Sequence, residues 1–435
     1  MKARSYIPIV LATICVACSN KASDKFSSVK FCLDNQAVIA QTIKANGHDV
    51  TVLKLGLVND TVNIPLSYLA EELQIVPLDN RDEALVGNSK VYVSDNYILV
   101  TRSTGFHSIP CKLFKKDGTY ITNIGSVGQG PGEYNLIYCA QIDEDGGFVY
   151  LLPWNAKAIL TYNLKGDFIR SIPLNKKYDN LVVPKGVFNV NSKKNQVAVA
   201  LLPFKNQPTV TWIQDMEGNF IHEPYADYLK IKPDFSNEIN LSRSENHFGF
   251  NIFTFWELRK DTLYHFDMDK GELIPRFTAE FKNDPILHDY MELPGHYMCM
   301  VTQPKQIAEG FYETEEQQFI IVDKKSNKGN YVRIFNDYLG NLEIAYFPYA
   351  CTDGYYTVNL EPNILLEQIE KALKNNELTK EQEEQLKALQ KQIDEDHNNY
   401  IVYAKLKTDF LYIHCINRLK VVSLYPCGDY CFFLS

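Results

Sequence analysis

One pattern recurs down the chain and restricts its fold more than any other feature. It is a β-rich run, a short turn ending in glycine, and a second β-rich run. It occurs at Asp117-Gly118, Lys165-Gly166, Glu217-Gly218, Lys270-Gly271 and Lys328-Gly329, in steps of 48, 52, 53 and 58 residues. A step of about 53 residues is the length of one four-stranded blade of a β-propeller. Residues 60–407, less a helical stretch at 362–396, leave 313 residues, enough for six such blades. The predicted fold class is therefore all-β: a six-bladed β-propeller with a helical insert near its C-terminus.

The segments between the turns agree with that expectation. Val91 to Val100 holds two β-rich runs around Ser94-Asp95-Asn96. Phe148 to Leu152, Ala158 to Leu164 and Thr209 to Ile213 are rich in β-branched and aromatic residues, which suit a half-buried pleated surface. Tyr400 to Lys407 looks like the end of a last blade. A strand near Gln74 to Leu78 is expected to pair into that blade, closing the ring and leaving no open sheet edge. The insert differs. Ile364, Leu365, Ile369 and Leu373 recur at helical spacing, and Thr379 with Gln382 resembles a capping box before Leu386, Leu389 and Ile393. Such a stripe either packs on its own domain, the commoner use, or offers a partner-binding face.

The stretch Gly125-Ser126-Val127-Gly128-Gln129-Gly130-Pro131-Gly132-Glu133-Tyr134 places four glycines in eight residues, beside a proline. Glycine adopts positive φ without steric cost, and proline fixes its own φ and biases the residue before it. The stretch reads as a structural loop in which Glu133 accepts hydrogen bonds from loop N–H groups and Tyr134 packs over it. A phosphate-binding loop would need a lysine and a helix start here. Pro131-Gly132 stands in the lysine's place, and Asn135 to Ala140 reads as strand.

Residues 1–17 read as an export signal: Lys2 and Arg4, an apolar run from Tyr6 to Val16, then Ala17 before Cys18. The run is too short for a stable membrane span. Ala17-Cys18 resembles a bacterial lipoprotein cleavage box, with Cys18 receiving the lipid, although Cys15 stands where leucine is usual. Ordinary signal cleavage nearby is the rival reading. Cleavage before Cys18 leaves 418 of the 435 residues. Residues 18–59 are expected to be a tether and lead-in, and 408–435 an appendage following the closed ring.

A net charge of −9 argues against nucleic acid as a partner, since phosphate contacts need clustered Lys and Arg. Contact with a membrane is expected through the lipid only. The eight cysteines after Cys18 show no Cys-x-x-Cys and no zinc-type spacing, and most are expected to be buried apolar residues. No catalytic residue and no metal ligand is identified. His222-Glu223 and His288-Asp289 read as surface pairs. Asp143 to Gly147 resembles the start of a calcium loop but lacks the distal ligands, and reads as a solvated turn. Asp60-Thr61-Val62 and Asp261-Thr262-Leu263 match a short O-glycosylation pattern that arises often by chance.

The stretch Phe114 to Tyr134, with Gly128-Gln129-Gly130-Pro131-Gly132-Glu133-Tyr134 at its core, resembles a family of six-bladed β-propeller lipoproteins of Bacteroides-type bacteria, distant relatives of NHL-repeat propellers. Ile75 to Asp79 and Asn398 to Tyr403 look like that family's start and end, so the resemblance spans roughly residues 64–407. The tail from Thr408 does not match. The resemblance implies a fold and an address, an outer-membrane lipoprotein facing periplasm or surface, without catalytic residues or cofactor. The expected role is a binding or scaffold module for an envelope protein, peptide or glycan. The alternative is a metal-dependent propeller hydrolase or lyase, with calcium as its cofactor, since related propellers include such enzymes.

Overall fold

The computed structural model describes residues 33–101, 109–178, 181–244, 247–308, 311–314, 316–375 and 378–408. The export signal, Cys18 and the tail beyond residue 408 lie outside the described residues. Six antiparallel sheets form a six-bladed β-propeller, as the spacing predicts.

Each of blades 1 to 4 takes four strands in chain order. Blade 1 is Lys90–Val93, Tyr97–Thr101, Cys111–Lys115 and Tyr120–Ile124. Blade 2 is Ile137–Asp143, Phe148–Pro153, Ala158–Asn163 and Phe168–Pro173. Blade 3 is Gly186–Asn191, Gln196–Leu201, Thr211–Gln214 and Phe220–His222. Blade 4 is Glu238–Ser244, His247–Phe253, Thr262–Asp267 and Glu272–Glu280. Blade 5, Leu287–Glu292, His296–Thr302, Gln318–Asp323 and Gly329–Asn336, carries an inserted hairpin, Pro304–Ala308 with Phe311–Thr314.

Blade 6 closes the ring. Its first three strands, Cys351–Thr352, Tyr355–Leu360 and Tyr400–Lys405, come from the end of the chain. Its outermost strand, Gln74–Pro77, comes from the start and pairs antiparallel, Tyr400 opposite Pro77. N- and C-terminal segments thus share one sheet, and that blade has no unpaired inner seam.

The recurring glycines sit where blades meet. Gly118 lies in the turn between the third and fourth strands of blade 1, at φ +87°, and a Cβ there would stand 2.1 Å from the Pro77 carbonyl oxygen. Gly166 repeats the arrangement at φ +88°, 2.1 Å from the Asn123 carbonyl oxygen on the outer strand of blade 1. The glycine carbonyls then accept from the preceding blade, from Asp79 N at 2.9 Å and from Gly125 N at 3.4 Å. The repeat therefore marks contacts between blades as well as turns within them. The fifth site departs from the expectation: Asn327 takes the positive φ of 58°, while Gly329 opens the outer strand of blade 5. There a Cβ would stand 1.8 Å from the Ile321 carbonyl oxygen, so close backbone approach rather than turn geometry requires the glycine.

Two outer edges are covered by strands from the N-terminal part of the chain. Ala40–Ala45 and His48–Lys54 form a hairpin whose second strand runs parallel to Glu272–Glu280, widening blade 4 to six strands. Thr61–Pro65 runs parallel to the outer strand of blade 5. Short added strands of this kind satisfy backbone groups that an edge would expose.

The insert forms two helices, Pro362–Leu373 and Lys380–Gln390, the second opened by the Thr379–Gln382 capping box. Leu365, Ile369, Ala372 and Leu386 are buried in one core cluster with Met298, Ile334 and Phe347. The stripe is thus packed on its own domain. No helix among the described residues is long and apolar enough to cross a membrane.

Candidate functional site

Antiparallel strands give the ring two different ends. Turns between first and second strands lie at one end of the central channel, the turn end. Connections from second to third strand, and from blade to blade, lie at the other, the loop end.

The glycine-rich stretch leaves blade 1 and enters blade 2. Ser126–Val127 pairs parallel with Glu133–Tyr134. Glu133 Oε2 accepts from Gly130 N at 2.8 Å, and Ser126 Oγ lies 3.4 Å from Oε1. The buried Tyr134 hydroxyl donates to the Ile124 carbonyl and accepts from Cys111 N at 2.8 Å. Tyr162 OH donates to the Gly132 carbonyl at 2.8 Å. Gly125 and Gly132 take φ of +64° and +73°, while Gly128 and Gly130 face the Glu133 carboxylate, where a Cβ at Gly128 would stand 2.1 Å from Oε2. The loop's own carboxylate therefore occupies the place an external anion would take. Pro131 is exposed at its tip.

Near the turn end one side chain links the blades across the ring. Arg243, on the inner strand of blade 4, reaches three other blades. Its Nε and NH2 donate to the two Asp353 oxygens of blade 6 at 2.9 and 2.7 Å. Its NH1 donates to Phe188 O of blade 3 at 3.0 Å, and NH2 to Ala140 O of blade 2 at 2.8 Å. Despite burial, the Asp353 carboxylate holds the guanidinium above its ordinary range. Between blades 4 and 5, Asp289 accepts from Asn240 Nδ2 at 2.9 and 2.8 Å and from Asn251 Nδ2 at 2.6 Å. Burial pushes its carboxyl up to about 6 against the pull of those donors. At the loop-end mouth, Lys185 Nζ donates to Glu238 Oε1 at 2.5 Å, and Tyr138 OH to Glu238 Oε2 at 2.6 Å. His288 and Asp289 are buried on the inner strand of blade 5, so the expectation of a surface pair is corrected. Alternation does separate their side chains, but both sides of a propeller blade pack against neighbours. His222 is exposed as expected.

The ends differ in surface chemistry. Nine aromatic side chains are exposed among the described residues, and seven belong to loop-end connections: Trp154, Tyr225, Tyr228, Phe235, Trp256, Tyr346 and Tyr349. The other two, Phe168 and Phe220, are on outer strands. The loop-end rings are partly contiguous. Trp154 of blade 2 meets Phe235, from the connection into blade 4, edge-on at 6.3 Å. Arg259 NH1 donates to Leu229 O at 3.2 Å and ties the Trp256 loop to the Tyr225–Tyr228 segment. Exposed Leu85, Leu258 and Ile364 add aliphatic surface to the same end. A cleft of about 590 Å³ opens there between blades 4 and 5, lined by Phe281, Asp284, Ile286, Thr302, Gln303 and Gln318 among others.

The turn end is polar and cross-linked. In the Asp143–Gly147 turn, Asp143 Oδ2 accepts from Ser192 Oγ at 2.6 Å, Glu144 from Asn96 Nδ2 at 2.7 Å, and Asp145 pairs with Lys193 at 2.7 Å. These carboxylates join blades 1, 2 and 3. One grouping was missed by sequence reasoning. His247, His265 and Glu292 converge between blades 4 and 5, their ligand-type atoms all within 4.8 Å of one another. Burial lowers the His247 imidazole to about 4, and despite burial the neighbouring His265 and Lys324 hold Glu292 below the usual carboxylate range. The three residues are 45 positions apart end to end and share no motif, so only the fold assembles them. Four cysteines are described, at 111, 139, 299 and 351, and all but Cys351 are buried. The lipid acceptor Cys18 lies outside the described residues.

Residues 50–405 match the family described as a domain of unknown function, DUF4934. Among solved structures, a protein of Bacteroides fragilis NCTC 9343 described as exported is 16% identical, with a TM-score of 0.51, over 80% of this chain and 100% of that one. A member of the duf4221 family from Bacteroides vulgatus is 12% identical, with a TM-score of 0.41, over 78% of this chain and 97% of that one. Among the curated proteins nothing matches.

Proposed function

The chain belongs to the DUF4934 family, and from that premise we propose that it is a cell-envelope binding module that holds a protein partner against its loop end. One observation carries the reading: among the described residues, seven of the nine exposed aromatic side chains gather at that end. Isolated exposed rings are ordinary, but a concentration on one face marks an interaction surface. Trp and Tyr supply large, stiff contact area with a polar tip and are enriched in protein interfaces. The aliphatic Leu85, Leu258 and Ile364 at the same end favour a protein or peptide over a glycan, whose hydroxyls would call for polar partners beside the rings. The net charge of −9 speaks against nucleic acid. The envelope address rests on the charged, apolar and Ala17-Cys18 sequence of the N-terminus, with Cys18 as lipid anchor.

Site-specific photo-cross-linking in the native cell tests the proposal. A benzophenone side chain replaces Tyr225, Trp256 or Tyr346 in turn, and Phe168 or Phe220 as the contrast. The expected result is one discrete heavier protein adduct, identified by mass spectrometry, from the first three positions alone. Adducts from Phe168 and Phe220 only, or no adduct at any position, would overturn it. A carbohydrate adduct would replace the protein partner with a glycan.

A further inference from the structure

We propose that His247, His265 and Glu292 bind a divalent transition metal of the zinc type, at the turn end between blades 4 and 5. The donors converge on one point. His265 Nε2 lies 2.6 Å and His247 Nε2 3.5 Å from the same carboxylate oxygen, Glu292 Oε2. The two imidazoles stack with centroids 4.1 Å apart and planes 9° from parallel, so one ring must turn for both in-plane Nε2 lone pairs to meet at a single ion. Zinc with ligands at about 2.0–2.2 Å asks for ligand separations of about 3.3–3.5 Å, and the His247–Glu292 pair already meets that. The metal takes the place of the proton that joins His265 to Glu292, opening that contact by under about 1 Å.

The surroundings hold the three donors in position. Ser244 Oγ sits 2.7 Å from His247 Nδ1, which leaves Nε2 to face inward. Ser242 Oγ lies 3.2 Å from both His247 Nε2 and Glu292 Oε2. Lys324 Nζ holds Glu292 Oε1 at 2.6 Å, so Oε2 alone is offered as ligand oxygen. The Glu292 side chain is 3% exposed, while the two histidines keep 22% and 17%, giving a buried base with an open mouth. Gly249 makes room: a Cβ there would stand 3.2 Å from His265 Cδ2 and 2.4 Å from the Tyr264 carbonyl oxygen. Its φ is not in the left-handed region, so space is what the position requires.

The donor set selects the metal. Two imidazoles and one carboxylate suit zinc and its first-row neighbours, whereas calcium and magnesium demand oxygen ligands throughout. Three protein ligands leave a fourth position for water or a donor from a partner. This site is at the opposite end from the aromatic surface and stands independently of the function proposed there.

Cobalt(II) and zinc(II) titrated into the purified full-length chain provide the test. The expected result is one equivalent of cobalt bound, with visible d–d absorption of a four- or five-coordinate ion, displaced by zinc and not by calcium. His265→Gln and His247→Gln should each weaken binding by about 100-fold or more, and Ser244→Ala by about tenfold. Since His265 is more enclosed, His247→Gln serves as the variant if His265→Gln does not fold. No cobalt absorption with the wild type, or the same affinity in a folded His247→Gln protein, would overturn the proposal.

Discussion

Arg243→Met removes the side chain that joins four blades at the centre of the ring. Methionine retains the apolar stem but none of the donors. It strands the Asp353 carboxylate and leaves the Phe188 and Ala140 carbonyls, bonded at 3.0 and 2.8 Å in the wild type, without their donor. Breaking a buried ion pair from one side costs about 3–5 kcal/mol, and each orphaned buried carbonyl adds about 1–3 kcal/mol where water cannot reach it. Asp353 keeps 22% of its side chain exposed, so water recovers part of that cost. The expected loss is about 3–5 kcal/mol, a large part of the ~5–15 kcal/mol that holds a domain together. Equilibrium urea denaturation followed by far-UV circular dichroism measures it. The double variant Arg243→Met/Asp353→Asn should recover a substantial share, because no charge is left unpaired and asparagine tolerates the φ of +51° at that position. A single-variant loss under about 1 kcal/mol would refute the reasoning, since Arg243 would then be no more than a surface pair.

Three further outcomes are expected. Gly132→Val should shift the denaturant midpoint strongly downward: φ is +73° and a Cβ would stand 2.4 Å from Phe168 Cγ, while phosphate should protect neither protein; an unshifted midpoint with phosphate protecting only the wild type would make the loop an anion cradle. Asp289→Asn probes pH. Burial raises the folded carboxyl from 3.8 to about 6, so its contribution to stability is complete below about pH 4 and lost as pH rises through about 6. The wild-type stability minus that of the variant should therefore fall across that window, whereas a rise would mean that the two asparagine amides hold the anion. Cys18→Ser should abolish fatty-acid labelling and release the protein from membranes, and unchanged labelling would remove the lipoprotein reading.

The ring was legible because its unit is written into the chain. Gly118, Gly166, Gly218 and Gly271 each take positive φ in the turn before an outer strand, and the closing strand Gln74–Pro77 carries its own β-rich signal. The capping box at Thr379 is a local pattern and was readable for that reason. The additions at the ring's edge were not. Ala40–Ala45 and His48–Lys54 lie where a lead-in was expected, and nothing local in them indicates pairing with Glu272–Glu280 more than 200 residues away. The same distance hides the polar chemistry. Asn240 meets Asp289 across 49 residues, Ser192 meets Asp143 across 49, and Arg243 meets Asp353 across 110. Contacts between blades fall at one blade length or a multiple of it, so they form no compact motif. His288-Asp289 misled for a related reason: alternation places neighbours on opposite sides of a strand, but in a propeller both sides can be interior.

The central claim is that the loop end is the face in use. Hydroxyl-radical footprinting of the chain in intact envelopes, beside the purified chain, tests it most directly. Trp154, Tyr225, Trp256 and Tyr346 are exposed by 43, 79, 54 and 63%, so all four should label readily in the purified protein. In the envelope they should be protected together, while Phe168 and Phe220 label equally in both preparations. Equal labelling of the four in both, or protection confined to Phe168 and Phe220, would contradict the account.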